Sequence, residues 1–177
     1  MDVKQIRFDA RRHCHHRYLV IIHLRELPIT RNDLPVVLSR LTDIINTDKL
    51  VYPKEVISEL GRYINPDSRL QLPLSWARVN SHHATRFEVP FETLKLVLEK
   101  VPTVNDADKL GVEEADCYVL ALAAHLQGLN MQVTVLTEET HDRPDKMSMT
   151  TACGHLRLVR LPIEEFLSLN GIWIRSR

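Results

Sequence analysis

The clearest pattern in the chain is a set of apolar stripes at helical spacing. Leu34, Val37, Leu38, Leu41, Ile44 and Ile45 recur three and four residues apart. Asn32 or Asp33 is available as N-cap and Pro35 sits in the first turn, which predicts a helix over 33–46. Pro53 opens a second helix, on which Val56, Ile57, Leu60 and Ile64 share a face. Pro90 opens a third, with Phe91, Leu94, Val97 and Leu98 directed inward. The strongest helix signal runs over 112–126 and stops near Gly128, with Ala115, Val119, Leu122, Ala123 and Leu126 as its stripe. A last short helix follows Pro162, over 163–169.

Strand signals lie between these stripes. Val133 to Thr137 is β-rich, Leu156 to Leu161 reads as another strand, and Leu50 to Tyr52 is a short extended piece. Val3, Ile6 and Phe8 alternate imperfectly with polar residues up to Asp9, a weak first strand. Tyr18 to Leu24 is apolar throughout and fits strand or helix. Arg25 and Glu26 continue it without a break, which favours a helical turn or two. Asn65–Pro90 has little periodicity and reads as a long connection, a candidate insertion with a short helix near Trp76. The order of helix, strand, loop, strand and helix is that of a parallel sheet covered by helices, an α/β domain. No repeat or internal boundary appears, and 177 residues suit a single domain over 1–177.

Composition narrows the class. Charged residues make up 26% of the chain, with 23 of each sign and a formal net charge of zero, so nucleic acid would be met by a local patch. Cys14, Cys117 and Cys153 are odd in number and far apart, which suits a reducing compartment better than a disulfide framework. The N-terminal stretch lacks the apolar segment of a signal peptide, and the apolar run Tyr18–Ile22 is too short to span a bilayer. A cytoplasmic protein with no membrane partner is the expectation.

Candidate chemistry rests on carboxylates. Asp116 lies beside or within the apolar stripe of the strongest helix, with Glu113 on the same side. A buried carboxylate needs a cation, a hydrogen-bond network or a raised pKa. The other reading is a helix-start acid stabilised by the macrodipole, since Glu113, Glu114 and Asp116 share the first turns. Thr137-Glu138-Glu139 directly follows an apolar strand, where open parallel sheets bind ligands, though a solvated loop would look alike. Glu59 sits at the edge of an apolar helix face, a place where exposed glutamates are also common, and Asp9 ends the possible first strand. Carboxylates from strand ends and helix starts could hold a hard divalent cation at one end of a sheet.

The segments EEADCYVLALAAHLQG and VTVLTEE together resemble the second half of PIN domains, metal-dependent ribonucleases that include the VapC toxins. KMSMTTACGHLRLVRLPIEEFLSLNGI resembles a VapC-like branch, and VYPKEVISEL resembles the motif whose glutamate lies on a helix. The resemblance covers most of Leu50 to Trp173, with a less familiar middle. It implies a three-layer α/β/α domain with a central parallel sheet. It also implies an acidic cluster of Asp9, Glu59, Asp116 and Glu138, with Glu139 as rival for the last place, holding Mg2+ or Mn2+. Asp9, Glu59 and Asp116 would act catalytically in cleaving RNA, with a protein antitoxin as partner and homodimers common. Asp9 is followed by Ala10, Arg11, Arg12 and His13, whereas the family continues with a small or hydroxyl residue and an aliphatic helix. A catalytically degenerate PIN-fold interaction module is therefore the alternative.

Other constellations are weaker. His13, Cys14, His15, His16 and His23 lack the converging second pair that a zinc site needs. Arg7, Arg11, Arg12 and Arg17 suit phosphate contacts or simple solvation. His82 and His83 read as surface, and Trp76 and Trp173 as core or edge. No glycine-rich phosphate loop, nucleophile elbow or base beside a cysteine is present. A phosphate-signalling domain would need a lysine at a later strand end, and no such lysine stands out.

Overall fold

The computed structural model describes residues 18–22, 29, 32–62, 71–106 and 114–172, the first of these by backbone alone. They form a mixed arrangement of helices and parallel strands. The order is β1 (Tyr18–Ile22), α1 (Leu34–Asn46), β2 (Leu50–Val51), α2 (Glu55–Arg62), α3 (Gln71–Ala84), α4 (Phe91–Lys100), α5 (Ala115–Gly128), β3 (Gln132–Leu136), α6 (Met149–Leu156), β4 (Val159–Leu161) and α7 (Ile163–Leu169).

The strands pair in the order β2-β1-β3-β4, and every pairing is parallel. Val20 lies opposite Leu50 on one side of β1 and opposite Thr134 on the other, and Leu136 lies opposite Leu161. The chain thus leaves β1 for β2 on one side and later returns to fill the other side with β3. The carboxyl ends of β1 and β3 therefore flank the point where the topology switches, the usual place for a ligand crevice in parallel sheets.

Helix α5 explains how chemistry reaches that end. Leu129–Met131 alone join α5 to β3, so the helix must run back along the sheet. Asn130 makes the reversal with φ of 60°, a left-handed conformation that asparagine tolerates better than most residues. The amino end of α5 consequently stands at the carboxyl end of the strands. The helix packs against β3, β1, α2, α4 and α6. Ala115, Val119, Leu122, Ala123 and Leu126 are buried as their spacing predicts, and Cys117, Leu120 and Ala121 are buried too. A helix buried on this many sides is an internal element rather than an amphipathic cover.

Helix α1 buries Leu34, Val37, Leu38, Leu41 and Ile45. Tyr52, immediately after β2, is fully buried; its hydroxyl donates to the Ala77 carbonyl at 2.8 Å, and its ring lies 6.0 Å from that of Trp76. Trp76 is a core residue whose Nε1 donates to Thr42 Oγ1 at 2.8 Å.

Several local expectations are corrected. Tyr18–Ile22 is a strand, not a helical turn, because hydrogen bonds from two neighbouring strands claim its backbone. The short helix expected near Trp76 within a long connection is a full helix over residues 71–84. Its weak periodicity reflects small and polar residues on the inner side, with Ala77, Asn80 and Ala84 buried. Phe91 is 72% exposed rather than inward, and in α4 only Val97 is fully buried. The segment before β4 holds α6, capped by Ser148 Oγ, which accepts from Thr151 N at 3.2 Å. Among the described residues no helix is long and apolar enough to cross a membrane.

Candidate functional site

Among the described residues, the carboxylates Glu55, Glu59, Glu114 and Asp116 are buried, and the buried Lys146 feels the charges of Asp116, Glu139 and Glu114. Desolvating so much negative charge is costly, so the partners of these groups decide what the region can do.

Asp116 lies in the first turn of α5 and is 3% exposed. Its Oδ2 accepts from Lys146 Nζ at 2.7 Å, and the same ammonium lies 3.3 Å from Glu139 Oε1. Two carboxylates far apart in sequence thus converge on one cation. Burial alone would lower the Lys146 pKa. The Asp116 charge and hydrogen bond, with Glu139 and Glu114 behind them, outweigh burial and hold it above its ordinary value. Lys146 is therefore charged at neutral pH. Glu139 Oε2 is buried and has no hydrogen-bond partner among the described residues.

Local chemistry brings Glu139 and Lys146 to this place. At the end of β3, Thr137 Oγ1 accepts from Glu139 N at 3.1 Å, a side-chain turn that bends the chain out of the sheet. The Glu139 carbonyl is pinned by Thr150 N and Thr150 Oγ1 in the first turn of α6, at 3.2 and 2.8 Å. Farther along, Arg143 and Lys146 exchange backbone hydrogen bonds of 2.8 and 3.3 Å around Pro144 and Asp145, closing a tight turn. That turn is fastened to the segment after α4. Arg143 Nη2 donates to Asp106 Oδ2 at 2.8 Å, and Met147 N donates to the Thr103 carbonyl at 2.8 Å.

The other predicted acids have structural partners. Glu59 Oε2 accepts from Ala115 N at 3.1 Å, so it satisfies an amide at the amino end of α5, one residue before Asp116. Glu114 Oε2 accepts from Asp106 N and ties the preceding segment to the same helix end. Glu138 Oε1 accepts from Glu164 N at 3.0 Å and so caps α7. Of the two adjacent glutamates, Glu139 is the one that shares a cation with Asp116. Asp9 and Glu113 lie outside the described residues, as do the histidine-rich run 11–17, His23 and Trp173.

Among the described residues, Cys117 and Cys153 are buried thiols held in the protonated form. Burial pushes the Cys117 thiol up to about 11, and its Sγ donates to the Glu114 carbonyl at 3.5 Å; burial pushes Cys153 up to about 12. His82 and His83 are exposed at the end of α3, their rings edge to face at 4.8 Å.

Among the described residues no three His, Cys, Asp or Glu side chains converge as a metal-binding group. The Asp116–Glu139 pair nevertheless has the right donors for a hard cation. Both offer carboxylate oxygen, both already hold one positive charge, and Glu139 keeps a buried oxygen to spare. Magnesium is commonly held by one or two carboxylates, with water or phosphate completing the shell. A recess of about 500 Å3 is lined by residues including Lys54, Glu55, Phe87, Phe91 and Tyr118. Its lining does not include Asp116, Glu139 or Lys146.

Lys146 is the residue that the sequence reading missed as a partner of the acids. Its signal was the resemblance of the segment beginning at Lys146, with nothing in local periodicity to mark it. No family model matches the chain, and no curated protein or solved structure matches it.

Proposed function

We propose that the chain is a PIN-like, metal-dependent endoribonuclease of the VapC type, with a three-layer arrangement around its parallel sheet and a protein antitoxin as partner. The observation that carries this reading is the convergence of Asp116 and Glu139 on a single cationic position at the carboxyl end of the sheet. The strand order supports it, because that position adjoins the switch between β1 and β3.

In this reading Asp116 and Glu139 hold the divalent ion. When bound, Mg2+ or Mn2+ lowers the pKa of water and offsets charge on the phosphodiester. The protein's own residues supply the setting. Glu59 and Glu114 fix the amino end of α5 through Ala115 N and Asp106 N, which holds the Asp116 carboxylate at its place in the fold. Thr137 and Thr150 do the same for the backbone of Glu139. Lys146 adds a positive charge beside both acids, suited to an anionic backbone. The acids would otherwise repel a phosphodiester.

The test is cleavage of bulk tRNA and total RNA in Mn2+ by wild type and Asp116→Asn. The variant is expected to lose activity by about a hundredfold or more, on the order of 3 kcal/mol of transition-state stabilisation. Equal rates in the two proteins would remove Asp116 from the reaction.

A second reading is a PIN-like interaction module without catalysis. It is favoured by the same ion pair, since Lys146 already occupies the position between the carboxylates and offsets one of their two charges.

A further inference from the structure

The Lys146 ammonium and a divalent ion cannot occupy the same point. A carboxylate-bound Mg2+ lies about 2.0–2.1 Å from its oxygens. Lys146 Nζ stands 2.7 Å from Asp116 Oδ2 and 3.3 Å from Glu139 Oε1, which is the space between the two acids. The lysine did not arrive there by chance of a loose side chain. Its backbone is closed into the Arg143–Lys146 turn, and that turn is tied down by Asp106 and Thr103. The side chain is 5% exposed. The four-carbon stem carries the rotatable bonds by which the ammonium could leave this position while the turn stays in place.

We propose that Lys146 is a built-in competitor for the cation site: its ammonium holds Asp116 and Glu139 together in the metal-free protein, and a divalent ion loads only by displacing it. The inference rests on the metal-dependent reading above and adds a control to it. In the metal-free protein the ammonium offsets one of the two carboxylate charges and bridges buried Asp116 to half-buried Glu139, which would otherwise repel each other. Loading is then an exchange of one cation for another, which weakens apparent metal affinity and exposes the lysine when it occurs.

Two measurements on the full chain test this. In wild type, lysines are acetylated with an N-hydroxysuccinimide ester and read by peptide mass spectrometry, with and without saturating Mg2+. Lys146 is expected to react slowly without metal and about tenfold faster or more with it, while exposed Lys54 and Lys95 are unchanged. In the second, Mn2+ binding is followed by calorimetry on wild type, Lys146→Met and Asp116→Asn. Lys146→Met is expected to bind at least about tenfold more tightly than wild type, and Asp116→Asn to lose binding. Lys146 labelling that ignores bound Mg2+ would overturn the competition, and this holds even if Lys146→Met fails to fold. Equal Mn2+ affinity in wild type and Lys146→Met, with loss in Asp116→Asn, overturns the competition and leaves the metal site standing. No saturable binding in either wild type or Lys146→Met overturns the metal reading and the competition with it.

Discussion

Replacing Lys146 by methionine is the sharpest perturbation of this molecule. The stem volume is nearly kept and the charge is removed. Its partner Asp116 would stay where it is, because α5 is packed into the core on several sides. The side chains of the pair are 5% and 4% exposed, so water cannot readily replace the lost ammonium. Removing one member of a buried ion pair costs roughly 3–5 kcal/mol, whereas an exposed pair is worth about 1 kcal/mol or less. Glu139, at 25% exposure, can recover some hydration, which places the expected loss toward the lower end, near 3 kcal/mol. A domain of ordinary stability, about 5–15 kcal/mol, would remain folded but lose much of its margin. The assay is urea unfolding followed by far-UV circular dichroism and fluorescence, with wild type, Lys146→Met and Lys146→Met/Asp116→Leu compared at equal m-value. The double variant should recover most of the loss, because it removes the Asp116 charge together with the ammonium that balances it. A loss below about 1 kcal/mol in Lys146→Met would show that the pair is effectively hydrated and would refute the argument from burial.

Other consequences follow from the same structure. Cys117 and Cys153, with thiols pushed up to about 11 and 12, should resist iodoacetamide at about pH 8 in the folded protein and react once urea unfolds it; prompt labelling in the native state would contradict their burial. Tyr52→Phe deletes the hydroxyl that donates to the Ala77 carbonyl and should cost about 0.5–1.5 kcal/mol by urea unfolding, with no change in secondary structure. Asp142 accepts from Ser148 N at 2.8 Å, and this bond, with the Ser148 and Thr151 hydroxyls, holds its carboxyl below the ordinary 3.8. Its contribution is therefore present above the unfolded value and lost as pH falls through the lower folded one. The stability gap between wild type and Asp142→Asn should be flat between about pH 5 and 7 and close under acid; a gap that widens there would reverse the sign.

How far the sequence reaches can be judged element by element. Helices α1, α5 and α7 and strand β3 were legible because each is an apolar stretch of suitable length with clear punctuation: Pro35 at the start of α1, Gly128 at the end of α5, Pro162 before α7. Strand β1 was not, since a short run of consecutive apolar residues is common to parallel strands and buried helical turns. Helix α3 was legible only as a short helix near Trp76, because beyond Leu74 and Trp76 its inner side uses alanine and asparagine, which give little contrast against its polar side. Helix α6 was missed because it is short and threonine-rich, and its cap at Ser148 carries the signal that periodicity lacks.

The candidate site divides the same way. The sequence by itself determined which carboxylates stand at helix starts and strand ends, since those positions follow from local patterns: Asp116 in the first turn of α5, Glu138 and Glu139 just past β3, Glu59 on α2. Only the tertiary structure decided their partners. Glu59 goes to an amide of α5, Glu138 to an amide of α7, and Glu139 to the lysine that also binds Asp116. Glu138 and Glu139 are neighbours of identical chemistry, and what separates them is a hydroxyl turn at Thr137 and the packing of α6 and α7. The physical reason is range. Hydrophobic period and capping act over one or two turns of chain, whereas the meeting of residues 116, 139 and 146 depends on how a buried helix, a strand end and a fastened loop pack together.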